Sequence, residues 1–117
     1  ISTAPGFAER SAEVVESWVQ HRAAHPIDPT GYQAQLAIGL GLLSEAASFE
    51  HKLGRVTAPT LILFGEHDAV VPPANAELLA SKLPNARVEI LPNAGHFFPF
   101  ETPQAANRVI TDFLLGS

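Results

Sequence analysis

The residues best suited to chemistry lie in two short polar clusters. The first is Gly65-Glu66-His67-Asp68. The second runs Gly95-His96-Phe97-Phe98-Pro99-Phe100-Glu101-Thr102-Pro103. An Asp and a His brought together form a defined unit. A carboxylate that accepts an imidazole N–H fixes the ring's tautomer and stabilises its cationic form. The other ring nitrogen can then draw a proton from a nucleophile. Help of this kind is typically worth about 10²–10⁴ in rate. Asp68 is the candidate acid and His96 the candidate general base. His67 reads as a shaper of the loop or pocket rim, Glu66 as a solvated loop acid, and Glu101 as support for a helix start near Thr102.

Such a pair needs elements that bring its members together. Leu61-Ile62-Leu63-Phe64 is a continuous apolar run closed by Gly65. A run without alternation predicts a parallel strand buried on both faces. Pro72-Pro73 opens a helix with Ala76, Leu79, Ala80 and Leu83 on one side, and Pro84-Asn85 stops it. Arg87 to Leu91 is a second strand, followed by the loop Pro92-Asn93-Ala94-Gly95. Thr102 is expected to cap a last helix with Pro103 at its first position. Ala106, Val109, Ile110, Phe113 and Leu114 form its apolar stripe. The order strand, helix, strand, helix predicts an α/β fold with two parallel strands, a right-handed crossover and flanking helices. In open α/β sheets ligands bind beyond the carboxyl ends of the strands, and both polar clusters fall there. Adjacent parallel strands end side by side, so Asp68 and His96 can meet.

The first part of the chain has a different texture, with no convincing strand. Residues 8–24 place Val14, Val15, Trp18 and Val19 near one helical face, with Glu9, Glu13 and Glu16 towards the helix start. His25-Pro26-Ile27-Asp28-Pro29 breaks the pattern. A second helix is expected from Thr30 to about Ser48, with Tyr32, Leu36, Leu40, Leu43 and Ala47 in one stripe. Gly39 and Gly41 weaken it. Trp18, Tyr32, Leu36, Leu40 and Phe49 are candidates to line an apolar pocket, and equally candidates simply to pack the helices. Gly54 to Pro59 is a connector.

Composition excludes several function classes. Apolar residues make up 46% of the 117 and charged residues 16%, which is globular rather than disordered. The formal charge is −5 and the seven bases are scattered, so there is no basic patch for nucleic acid. With no cysteine, disulfides and thiolate metal sites are ruled out. His21 and His25 are spaced i, i+4, but Arg22 stands where a zinc-binding His-Glu-x-x-His helix has Glu, and no third ligand is evident. No metal and no cofactor is expected. No apolar run approaches the roughly 18 residues that would span a bilayer, so no membrane partner is expected. A chain that lacks Met and begins at Ile1 is expected to be a piece of a longer or processed product.

Ala58-Pro59-Thr60-Leu61-Ile62-Leu63-Phe64-Gly65-Glu66-His67-Asp68 resembles the α/β-hydrolase segment in which a strand, a Gly and two residues lead to the triad acid. Asn93-Ala94-Gly95-His96, followed by Glu101-Thr102-Pro103, resembles the segment around the triad histidine. The family order is nucleophile, acid, histidine, and the last two stand here in that order. The resemblance implies the C-terminal part of an α/β-hydrolase fold. Residues 1–52 would be a helical, lid-like segment, and residues 53–117 the strand-helix-strand-helix part of the core. It is similar to the lid-bearing esterases, enol-lactonases and their haloperoxidase-like and dehalogenase-like kin. In that group Phe97, Phe98 and Phe100 would be partly pocket wall, and otherwise they are plain core. None of the seven serines stands in the family's G-x-S-x-G elbow. The chain is therefore expected to supply acid and base but not the nucleophile, and to be inactive alone. Its implied substrate is a small ester, thioester or lactone. Its implied partner is the N-terminal remainder of the same protein, or another copy paired along the bare edge of the first strand. Two other readings stay open. An upstream Asp nucleophile would give dehalogenase-like or epoxide-hydrolase-like chemistry. Alternatively, the chain is a non-catalytic binding or assembly module.

Overall fold

A computed structural model of the chain describes residues 2–42 and 49–116. The element order is α1 (Phe7–Arg10), α2 (Ala12–Ala24), α3 (Pro29–Gly41), a 3-10 turn at Glu50–Arg55, β1 (Thr60–Gly65), α4 (Asn75–Ala80), β2 (Ala86–Leu91), α5 (Phe98–Glu101) and α6 (Pro103–Leu115). Strands β1 and β2 pair in parallel, with Thr60 opposite Ala86 and Gly65 opposite Leu91. This is the two-stranded parallel sheet with flanking helices that the apolar runs and proline breaks predict.

Helix α4 lies against both strands and α6 against β2. Buried Leu91, Ala94 and Ala106 form the core, with Leu63, Phe98, Ala105 and Val109 packed around them. Because side chains alternate along a strand and register partners share a face, Leu63 and Leu91 lie on one side of the sheet. The apolar run of β1 is less enclosed than expected. Ile62 is buried, whereas Leu61, Leu63 and Phe64 are half-buried. Among the described residues β1 pairs with β2 alone, so no strand lies along its other edge.

The helix ends follow local chemistry, with four departures from the sequence pattern. Asp28 caps α3 by accepting from Gly31 N at 2.7 Å, and Pro29 sits at the first helical position. Thr102 stands before α6, but its hydroxyl donates to the Phe98 carbonyl at 3.2 Å rather than capping the helix. That bond closes α5, a turn absent from the sequence reading. The expected helix over 8–24 is broken at Ser11, whose φ of −132° and ψ of 43° are not helical. The break lets Phe7 fold back and stack on Trp18 with ring centroids 5.8 Å apart. Helix α4 ends at Ala80, so Leu83 of the expected stripe follows it in a turn. On α6, Phe113 is half-buried but Ile110 and Leu114 are exposed. The expected extension of α3 to Ser48, including Leu43 and Ala47, lies outside the described residues.

Every residue of α3 is exposed. The chain's radius of gyration is 16.8 Å, against about 13 Å for a compact domain of this length. The strand-and-helix part is packed, with Phe7 of α1 buried, and α3 reaches away from it.

Gly65 sets how closely the strand ends approach, and Gly95 how closely the N-terminal segment lies on the His96 loop. A Cβ on Gly65 would lie 2.5 Å from the Ala94 carbonyl oxygen and still closer to that of Gly95. A Cβ on Gly95 would lie 2.5 Å from Ala4 N and from the Thr3 carbonyl carbon. These are backbone atoms and cannot swing aside. We expect Gly65→Ala to cost about 1–3 kcal/mol by overpacking. A Cβ on Gly39 of α3 meets nothing within 4 Å, and Gly39→Ala should be neutral or stabilise by up to roughly 1 kcal/mol. Unfolding followed by far-UV circular dichroism tests the contrast. An unshifted midpoint for Gly65→Ala would remove the close-approach argument.

Candidate active site

The turn after β1 buries a carboxylate and hands it three donors. Asp68 N donates to Gly65 O at 3.1 Å, which tightens the turn. The Asp68 side chain then points inward, and the residue is 6% exposed. Its Oδ1 accepts from Val70 N at 2.9 Å and Val71 N at 2.8 Å. Its Oδ2 faces His96 Nδ1 at 2.9 Å. Burial opposes ionisation of Asp68. The hydrogen bonds from Val71 N–H, the His96 ring and Val70 N–H, and the charge of protonated His96, outweigh it and hold the carboxyl below its usual range.

An ionised Asp68 has no proton to give, so the Nδ1 contact requires Nδ1–H. The lone pair of neutral His96 is thereby placed on Nε2. Among the described residues Nε2 has no hydrogen-bond partner, and the side chain is 38% exposed. The arrangement suits proton abstraction from a group approaching Nε2.

The loop that carries His96 is tied at each successive residue. Asn93 N donates to Glu66 Oε2 at 3.0 Å, and the Ala94 carbonyl accepts from His67 N at 2.8 Å. Gly95 N donates to both carboxylate oxygens of Glu101, at 3.1 Å each. His96 N and Phe97 N donate to the Ser2 carbonyl at 2.7 and 3.2 Å. The turn after β1, the N-terminal segment and the end of α5 thus converge on one loop.

An open, mostly apolar cavity of about 1110 Å³ lies on the far side of Phe97, and neither Asp68 nor His96 is among its walls. Trp18, Val19, Ile27, Phe97 and Phe100 are among its walls. The Trp18 ring sits 5.7 Å from that of Phe97 and 5.8 Å from that of Phe100. Phe97 also flanks the His96 ring at 5.7 Å, which links cavity and pair. Of the pocket candidates, Trp18 and Phe97 are brought together here. Tyr32, Leu36 and Leu40 are not among the cavity's walls. They are 53%, 49% and 59% exposed on α3, because no other described element buries that helix. Phe49 is likewise exposed and holds Lys52 over its ring. His21 and His25 stack on each other at 4.2 Å. Among the described residues no group of three or more His, Asp or Glu side chains could hold a metal.

The alpha/beta hydrolase fold family model matches residues 4–103. The chain belongs to that family. A monoacylglycerol lipase, abhd6-A, of Xenopus laevis is 31% identical over 102 residues, covering 87% of this chain and 29% of that protein. A 2-hydroxy-6-oxononadienedioate/2-hydroxy-6-oxononatrienedioate hydrolase of Cupriavidus pinatubonensis is 32% identical over 100 residues, covering 86% and 29%. A thermophilic esterase of Thermogutta terrifontis, solved with malate bound, superposes with a TM-score of 0.58 at 32% identity, over 62% of this chain and 26% of that one. This member of the hydrolase family thus spans about three-tenths of the length of the curated relatives cited.

Within this α/β-hydrolase chain the sequence undervalued two acids. Glu66 is not merely solvated but holds Asn93 N. Glu101 does not serve the start of α6 but holds Gly95 N and, at 2.7 Å, Ala4 N. The available signal was a Glu five residues after a candidate catalytic His, separated from it by a Phe-Phe-Pro-Phe turn.

The lowered pKa of Asp68 has a stability consequence. Its folded value lies below the unfolded value of about 3.9. Its contribution is therefore complete above the unfolded value and is lost as pH falls through the folded one. Urea unfolding of wild type and Asp68→Asn should show the wild-type advantage intact at neutral pH and shrinking below about pH 4. An advantage that stays constant into acid would contradict the assignment.

Proposed function

We propose that this chain is the acid-and-base part of a serine-type hydrolase of carboxylic esters, thioesters or lactones. The observation that carries the reading is the 2.9 Å contact between buried Asp68 and His96 Nδ1, which leaves Nε2 without a partner among the described residues. In this reading His96 Nε2 removes the proton of a serine hydroxyl as that oxygen attacks the acyl carbonyl. The same nitrogen then gives the proton to the leaving oxygen or sulfur. A water molecule, activated by His96 in turn, cleaves the acyl-enzyme. Asp68 stays ionised throughout and stabilises the imidazolium. The cavity walled by Trp18, Phe97 and Phe100 takes the apolar acyl portion.

On this reading the nucleophile lies outside residues 1–117. Support comes from the absence of a G-x-S-x-G serine among residues 1–117 and from the 29% share of the lipase that this chain covers. The lipase and esterase names of the relatives favour ester chemistry over the Asp-nucleophile and binding-module readings. On this reading residues 1–52 supply the lid-like helices, with Ser2 and Ala4 tied to the His96 loop, and residues 53–117 the frame.

The test is made on the product of the complete reading frame. A fluorophosphonate probe should label one serine outside residues 1–117. His96→Ala should lower ester hydrolysis by at least about 10²–10⁴. Asp68→Asn, which offers the imidazole a donor and favours the wrong tautomer, should lower it by up to about 10⁴. Unchanged hydrolysis in both variants would overturn the assignment of acid and base. A labelled serine within residues 1–117 would overturn the assignment of the nucleophile to another segment.

A further inference from the structure

We infer that Glu101 is a positioning residue for His96, acting through the Gly95 backbone. The inference deepens the function proposed above and rests on its assignment of His96 as base. Glu101 closes α5 and turns its carboxylate back towards the start of the loop. Its Oε2 accepts from Ala4 N at 2.7 Å, and both oxygens accept from Gly95 N at 3.1 Å. One carboxylate thus clasps the residue before His96 to a segment nearly a hundred residues earlier in the chain. These bonds are partly buried and charge-assisted, the class that holds geometry most firmly.

The clasp governs His96 for two reasons. The first is that the N-terminal segment it holds also holds His96 directly. Ser2 O accepts from His96 N at 2.7 Å, so releasing Ala4 loosens the acceptor that fixes the His96 backbone. The second is that Gly95 has no room to drift inward. Its α-carbon faces Thr3 and Ala4, and Gly65 backs on to its carbonyl. Loss of the carboxylate leaves Gly95 N and Ala4 N without partners in a tight junction, and the loop relieves that cost by moving outward towards water. Outward motion of Gly95 carries His96 away from Asp68 Oδ2.

Glutamine separates charge from geometry. With its carbonyl at the Oε2 position it keeps the bonds from both Ala4 N and Gly95 N, and its amide faces Gly95 N as the only mismatch. Alanine keeps neither bond.

The experiment uses the complete reading frame and two readouts. One is the ring ¹⁵N and Nδ1–H signals of His96 by NMR, which report the Asp68 contact whether or not the protein turns over substrate. The other is kcat and KM on a nitrophenyl ester, well below the unfolding temperature. For Glu101→Ala we expect the hydrogen-bonded Nδ1–H signal to be lost and kcat to fall on the order of 10²-fold, as for an ångström-scale displacement of a reacting group. KM should change less, because Trp18, Val19, Ile27 and Phe100 wall the cavity from outside the Gly95–His96 step. Glu101→Gln should restore the signal and most of kcat. A persisting Nδ1–H signal in Glu101→Ala overturns the inference, and so does failure of Glu101→Gln to restore it in a folded protein. If His96→Ala itself hydrolyses the ester normally, the base assignment falls, while the ring signals still decide whether Glu101 positions His96.

Discussion

The close approach of the two strand ends is the constraint on which the rest depends. Gly65 at the end of β1 lies against the carbonyls of Ala94 and Gly95 beyond β2. A side chain at Gly65 would force the two backbones apart. Parallel pairing of adjacent strands puts the two ends at the same level. Gly65 then sets the separation that lets a buried Asp68 reach a half-buried His96. Once the backbones are this near, their polar groups bond directly. Glu66 N donates to Leu91 O at 2.9 Å and His67 N to Ala94 O at 2.8 Å, so the turn continues the sheet's hydrogen bonding past its last residue pair. The pair is thereby built on a rigid frame rather than on free loops.

Carboxylates perform three different tasks within this small region. Asp68 is enclosed, takes two backbone donors on one oxygen and spends the other on His96. Glu66 and Glu101 reach across from outside and each clasps a backbone N–H of the His96 loop. Anionic acceptors suit such work, because N–H groups left unpaired by an irregular loop need strong partners.

The amino-acid sequence makes some of this legible. The apolar run at 61–64 and the β-branched segment 87–91, each followed by a polar cluster, reveal two strands and the side of the sheet on which chemistry would occur. The pairing of Asp68 with His96 follows from their places after adjacent parallel strands. The break at Ser11 is invisible to periodicity, since it depends on Phe7 stacking on Trp18. The roles of Glu66 and Glu101 are hidden for the same reason. Each depends on a backbone group brought in by folding, and for Ala4 that group lies at the far end of the chain. The stripe Tyr32, Leu36, Leu40 was a sound pattern for burial, but it needs a partner surface that no described residue supplies. A periodic pattern specifies which face will be covered, not what covers it.

Two parts of the site consequently rest on different physics. The Asp68–His96 pair is fixed by directional bonds among residues 2–4, 65–71 and 93–101, all within the packed part of the molecule. The cavity is fixed by a few aromatic contacts, chiefly those of Trp18 with Phe7, Phe97 and Phe100. Ring contacts of this kind are worth about 0.5–1.5 kcal/mol each beyond the area they bury. Helix α2 carries Trp18 but buries none of its own residues. Small free energies can therefore displace α2 without disturbing the hydrogen-bonded pair, because low-density elements open at less cost than the core. The frame holds the chemistry still, while the wall that would meet a substrate can adjust.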